Sequence, residues 1–302
     1  MVRNRSFEDI VRNRPVQNAI LKERLDVLAG KIDISMIVPD PLQLVLPFSD
    51  SKDQEVAGLL AAAFAYGRAD IVVKNVGWIL ERMVPSPFHY LASPNLTRAE
   101  ASERFRGFVH RFHKTPELVA LLERLSLVIR HHGSLGQLFR SVYQKKDADI
   151  GPSLSRFVAS IICIKGATRL SSAQNAALRY LLTSPDDGSA CKRMNLFLRW
   201  MVRTESPDLG LWRYVDPSKL IMPLDTHIHR ISTFLGVNRR KTPDWKAAKM
   251  LTKNFARFNP SDPVRYDFAL CRLGILDLCS RNRRKENCDV CLLNDVCRFP
   301  VR

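Results

Sequence analysis

The chain has 302 residues, 46% hydrophobic and 25% charged, proportions that suit a globular protein with a full core and exclude a disordered or fibrous one. Lys and Arg total 47 against 30 Asp and Glu, a net charge of +17 that points to a polyanionic partner such as DNA or RNA. The excess is concentrated, with 15 basic and 7 acidic side chains in residues 239–302, and no segment reaches the ~20 apolar residues of a membrane span.

The opening MVRNRSFEDIVRNRP lacks the apolar stretch of a secretion signal, and an odd number of cysteines, seven, suits a reducing compartment better than a disulfide framework. A soluble, cytoplasmic monomer is expected. Apolar residues at three and four spacings predict two helices in residues 55–83, broken at AYGR by Gly67. The same pattern recurs over 115–133, 134–144, 153–164 and 171–184, each bounded by Gly, Pro or Ser. The polar connection PDDGSA, with Pro185 and Gly188, then leads to a helix over 191–203, giving the order helix, hairpin, helix.

Residues 204–224 read as an irregular, Pro-punctuated crossover. A helix over 226–236 follows, capped by Asp225, which accepts from the first turn, and stopped by Gly236. DWKAAKMLTKNFARF and DPVRYDFALCRLG supply two more helices, the second opened by Pro263. Strand-like alternation is scarce, so the expected fold class is all-α with two helical lobes. Residues 51–203 would form a central helical barrel ending in the helix-hairpin-helix, residues 1–50 and 204–278 a lobe built from both chain ends, and 279–302 a cysteine-rich loop.

The tail spaces Cys279, Cys288, Cys291 and Cys297 as C-x8-C-x2-C-x5-C, close enough to surround one metal centre. Sulfur-only ligation suits zinc or an iron–sulfur cluster, and structural zinc usually has two short knuckles where this chain has one. Between the first two cysteines lie Arg281, Arg283, Arg284 and Lys285, a loop pinned at both ends that would clamp phosphates.

This tail resembles the iron–sulfur loop of the endonuclease III branch of the helix-hairpin-helix DNA glycosylases, whose pattern is C-x6-C-x2-C-x5-C; the last three cysteines match, and the first interval is two residues longer here. PLDTHIHRI at 223–231 is similar to that family's V-D-T-H-x-x-R phrase. The first half, with DQEVAGLLAAAFAYGR, is closer to an uncharacterised bacterial branch of the superfamily. The resemblance implies a [4Fe–4S] cluster on the four cysteines and duplex DNA with a damaged base as partner. It implies that Asp225 faces the flipped nucleotide and stabilises an oxocarbenium-like sugar as the base departs. It makes Lys192, the first lysine after the hairpin, a Schiff-base nucleophile, with Arg193 beside it to favour the neutral amine.

Lys192 and Asp225 are 33 residues apart, longer than in endonuclease III and similar to the archaeal 8-oxoguanine glycosylase branch, which implies an oxidised purine as target. Backbone N–H groups approached through Gly188 would cradle one phosphate. Excision of a base from a duplex needs a wedge and a stacking pocket. Tyr66, Gly67 and Arg68, at the helix break, are candidates for the wedge, and Trp200 and Trp212 for the pocket, against the plainer reading of these aromatics as core. His227 or His229 would touch phosphate or sugar; two positions apart on a helix they diverge too far to share a metal. The rival readings are a monofunctional glycosylase, in which Asp225 activates water, and a non-catalytic DNA-binding module.

Overall fold

In the computed structural model, the described residues are 14–280, 282 and 284–299. The helical spacing of the sequence becomes fourteen α-helices among them, with one two-stranded hairpin. The helices are α1 (Arg14–Lys31), α2 (Ser51–Ala63), α3 (Ala69–Leu80), α4 (Pro87–Ala92), α5 (Arg98–Arg104), α6 (Thr115–His132) and α7 (Leu135–Val142), followed by α8 (Gly151–Ile162), α9 (Ser172–Leu181), α10 (Lys192–Val202), α11 (Thr226–Phe234), α12 (Trp245–Phe255), α13 (Asp267–Ile275) and α14 (Lys285–Asp289). The antiparallel strands β1 (Val109–His110) and β2 (His113–Lys114) lie between α5 and α6. No helix among these residues is long and apolar enough to cross a membrane.

Short polar side chains start the helices where the sequence places them. Asp50, Ser134, Ser171, Asp225 and Asp244 each accept a backbone N–H in the first turn of α2, α7, α9, α11 and α12. Between α2 and α3 the chain breaks at Gly67, whose φ of 95° lies in the left-handed region that favours glycine.

The centre is the α2–α10 pair, and both helices are buried around most of their circumference. Gly58 permits their approach, because a Cβ there would stand 3.0 Å from Met201 Cε. Residues 204–224 fold back over the end of α10, where Trp200 O accepts from Leu209 N and Met201 O from Trp212 N. α11 packs on α13 at an equally close point: a Cβ on Gly274 would lie 2.6 Å from that of His227. α1 packs on α13 and on the turn at Asn294–Val296, with Arg24 and Asp295 paired at 2.9 Å.

One expectation needs correction. α13 begins at Asp267 and not at Pro263. The preceding residues form turns closed by Arg265 N to Asp262 O and Asp267 N to Val264 O, while Arg203 holds the Asp262 carboxylate at 2.8 Å. The fold is otherwise helical as expected, and the β-hairpin at 109–114 is too short for its alternation to stand out in the sequence.

Candidate functional site

A cavity of about 1300 Å³ opens where the α2–α3 break, the start of α10, the residues entering α11, and α13 come together. Lys192 and Asp225 both line it. The chain enters α10 through Cys191, buried and left-handed at φ 51°, which turns the next residue toward the cavity. Lys192 Nζ donates to Ala65 O at 3.1 Å, fixing the amine against the end of α2.

Asp225 is held from two sides. Its Oδ1 accepts the cap bond from Ile228 N at 2.7 Å, and Cys271 Sγ on α13 lies 3.6 Å from Oδ2. His227 is partly buried, which pulls its pKa down; Asp225 opposes that shift, while Arg230 and Lys192 add to it. The imidazole thus senses both the carboxylate and the amine.

At the cavity wall, Arg199 pairs with Asp267 and Asp208, and behind it Arg203 pairs with Asp208 and Asp262. Burial alone would discharge Arg199, but Asp208 and Asp267 prevail and hold it charged. Burial pushes Asp267 up to about 6 against the pull of Arg199, with the charge of Asp225 adding to the rise. Arg272 is fully buried, donating to the carbonyls of Met36, Ile37 and Val38 and pairing with Asp40 at 2.9 Å. The segment before α2 is thereby fastened to α13 at the cavity edge.

Cys279, Cys288, Cys291 and Cys297 line one small pocket of about 40 Å³, together with apolar residues such as Ile231, Leu273 and Leu293. Burial raises the Cys279 thiol; Arg230 opposes this, and Cys291, Cys297 and Cys288 push it further up, as expected of thiols that share a site. No trio of His, Cys, Asp or Glu among the described residues is spaced to hold a single metal ion. Arg230 spans the gap between the two sites: it lines the large cavity and donates to Cys279 O.

The other residues expected from sequence divide. Tyr66, Arg68, Arg193 and His227 line the cavity with Lys192 and Asp225. Gly188 is left-handed at φ 72° and lies outside the cavity lining, its carbonyl accepting from Trp245 N at 3.1 Å. Arg284 and Lys285 are exposed on the loop, Arg284 standing 3.8 Å from Asp277; Arg281 and Arg283 lie outside the described residues.

Trp200 and Trp212 do not form a base pocket. They are 0% and 1% exposed, neither lines the cavity, and Trp212 Nε1 donates to the buried Glu55 carboxylate at 2.8 Å. Sequence reasoning also missed Cys271, Arg230 and Asp267 at the cavity, because nothing in their local sequence announces a contact with Asp225 or Cys279.

The molecule is thus a helical protein with an amine and a carboxylate in one basic-walled cavity and a four-thiol pocket beside it. Residues 40–276 match a family described as a protein of unknown function, DUF2400, and the chain belongs to that family. The match contains Lys192 and Asp225 and stops short of the four-thiol pocket's first cysteine, Cys279. No curated protein and no solved structure matches the chain.

Proposed function

We propose that this chain is a DNA-repair N-glycosylase with associated AP-lyase activity. The observation that carries the reading is the meeting of Lys192 and Asp225 in one cavity, with His227 sensing both. In this scheme the sugar of an extruded nucleotide enters between them. Asp225 stabilises positive charge on the sugar as the bond from C1′ to the base breaks and its electrons leave with the base, which takes up a proton. The lone pair of a neutral Lys192 amine then forms the bond to C1′; the nitrogen gives up one proton and the ring oxygen takes one up as the C1′–O4′ bond opens to a protonated Schiff base. Loss of a C2′ proton then forms the C2′–C3′ double bond as the C3′–O bond breaks and the 3′ phosphate departs. A neutral amine can donate to Ala65 O and still keep its lone pair for this attack.

The turn through Gly188 between α9 and α10 serves as the hairpin of a helix-hairpin-helix and cradles a phosphate of the strand. Cys279, Cys288, Cys291 and Cys297 would hold a [4Fe–4S] cluster, and their convergence on one apolar pocket fits that group. When bound, it supplies rigidity to the loop carrying Arg284 and Lys285, which then contacts phosphate. Arg230 transmits that order to the cavity through Cys279 O. Oxidised purine, 8-oxoguanine first, is the proposed target class.

The test is borohydride trapping on a panel of damaged duplexes, with base release and strand nicking scored separately. The reading expects a covalent adduct that is lost in Lys192→Ala and base release that is lost in Asp225→Asn. An adduct that survives Lys192→Ala removes that lysine from the mechanism, and base release without nicking selects the monofunctional scheme. Full function in Asp225→Asn would leave a non-catalytic DNA-binding module.

A further inference from the structure

The β1–β2 hairpin is built with a fixed root and a bare tip. At the root, His110 and His113 are 1% and 0% exposed and face each other across the strand pair. Tyr66 OH meets His113 Nδ1 at 2.6 Å, Asn75 Nδ2 meets His110 Nδ1 at 2.9 Å, and His113 Nε2 meets Ala177 O at 3.3 Å. The hairpin is therefore tied to the α2–α3 break, to α3 and to α9 at once. Its tip is Arg111, left-handed at φ 55°, followed by Phe112, whose ring is 57% exposed.

The tip stands at the rim of the candidate site. Arg111 lines the cavity, and its guanidinium crosses Gly67 closely enough that a Cβ there would meet Nη1 at 3.2 Å. Among the described residues it has no ion-pair partner. Phe112 leans on the edge of Tyr180, 4.9 Å between centroids, and Arg193 lies over Tyr180 at 4.3 Å and Tyr66 at 5.1 Å. The aromatic step packs on Tyr66 and His113, yet Phe112 and Tyr180 stay 57% and 40% exposed, and the cations Arg111 and Arg193 stand beside it. Flat apolar groups between phosphates, the bases of a nucleic acid, complement such a surface, since every base has a face to stack and the phosphates match the cations.

Resting on the DNA reading above, we infer that Arg111 and Phe112 are the wedge: Phe112 stacks into the duplex at the place vacated by the extruded nucleotide, and Arg111 follows it beside the cavity mouth. Tyr66, considered for this role from sequence, instead buttresses the hairpin from below through His113. Arg68 is turned toward Asp70 at 2.7 Å.

The experiment uses the full chain and a duplex carrying an abasic-site analogue next to 2-aminopurine. Fluorescence of the 2-aminopurine reports unstacking, and anisotropy of a labelled strand reports affinity for this duplex and for an intact one. Wild type should raise the fluorescence on binding. Phe112→Ala should abolish that rise and weaken binding of the abasic duplex about tenfold, with little change for intact duplex. Phe112→Trp should restore both signals. Circular dichroism of Phe112→Ala should match wild type, because the ring is mostly exposed. Wild-type behaviour of Phe112→Ala in a protein that binds DNA overturns the wedge alone, including the case in which the aromatic step receives a protein partner. Failure of the wild-type chain to bind either duplex overturns the DNA reading and the wedge with it.

Discussion

The thiol of Cys271 donates to Oδ2 of Asp225 across 3.6 Å, so the carboxylate is fixed both by its own helix and by the helix packed against it. Burial raises the thiol well above its usual range, and the neighbouring charges of Asp225 and Asp267 add to this, so it stays protonated and serves as a donor. On the proposed glycosylase reading, Cys271→Ala should lower single-turnover base release about tenfold, the worth of one hydrogen bond, while Cys271→Ser keeps most of the rate. Iodoacetamide should label the exposed Cys163 well before Cys271. Equal rates in wild type and Cys271→Ala would show that the second bond to Asp225 does not matter.

Behind that pair, Arg199 is buried between Asp208 and Asp267. Arg199→Met leaves two buried carboxylates without their shared cation, a change that costs about 3–5 kcal/mol when a buried pair is broken. The pH dependence has a definite sign. An acid whose pKa is higher folded than unfolded favours the folded state at low pH, and that advantage is lost as pH rises through the folded value, about 6 for Asp267 in the intact network. Without Arg199 the rise is larger. The thermal midpoint of Arg199→Met should therefore fall well below wild type at neutral pH and recover part of the gap as pH drops toward about 6, below which both proteins hold the proton and the gap stays constant. A gap that is constant with pH would mean that Asp267 is not the group left exposed to the low dielectric.

What the sequence could and could not announce follows from how far each signal reaches. Asp225 was legible as a cap because capping is settled within four residues, and the convergence of the four cysteines on one pocket because they crowd into one short stretch of chain. The break at Gly67 was legible for the same local reason. Cys271 and Arg230 were not, since each acquires its role from a partner more than forty positions away. Trp200 and Trp212 were assigned to a pocket because aromatics serve both cores and pockets; burial decides between them, and it is a property of the whole fold. The hairpin of two-residue strands lay below the length at which period-two alternation differs from chance.

The four-thiol pocket makes a spectroscopic prediction. Purified under exclusion of oxygen, the chain should carry iron and sulfide and absorb in the visible, and Cys291→Ala should lose both metal and colour. Cys163→Ala should keep them, because Cys163 is exposed and outside the pocket. On the proposed reading, removal of iron with a chelator should weaken duplex binding and make it less salt-dependent, since cations ordered by the cluster would contribute to the salt slope. Elemental analysis that finds zinc and no iron would reject the cluster.

The hairpin root gives the second pH dependence, and it has the opposite sign to that of Asp267. Burial lowers the pKa of His110, Tyr66 O opposes this, and the charges of His113 and Arg111 add to it; for His113 burial again leads, with Ala177 O and Glu117 opposing and Arg193 reinforcing. A histidine whose pKa is lower folded than unfolded stabilises the fold fully above its unfolded value of about 6.5, and the contribution is lost as pH falls through the folded one. Each such histidine adds a slope of at most about 1.4 kcal/mol per pH unit in that window. Wild type should therefore lose several degrees of thermal midpoint between about pH 7.5 and about pH 5, and amides of residues 109–114 should exchange faster at the acid end once intrinsic rates are divided out. His113→Gln keeps an acceptor for Tyr66 OH without a titrating group, and should flatten the profile while lowering the midpoint at neutral pH. If its profile runs parallel to wild type, the acid sensitivity arises elsewhere in the fold and the hairpin root is not what fails.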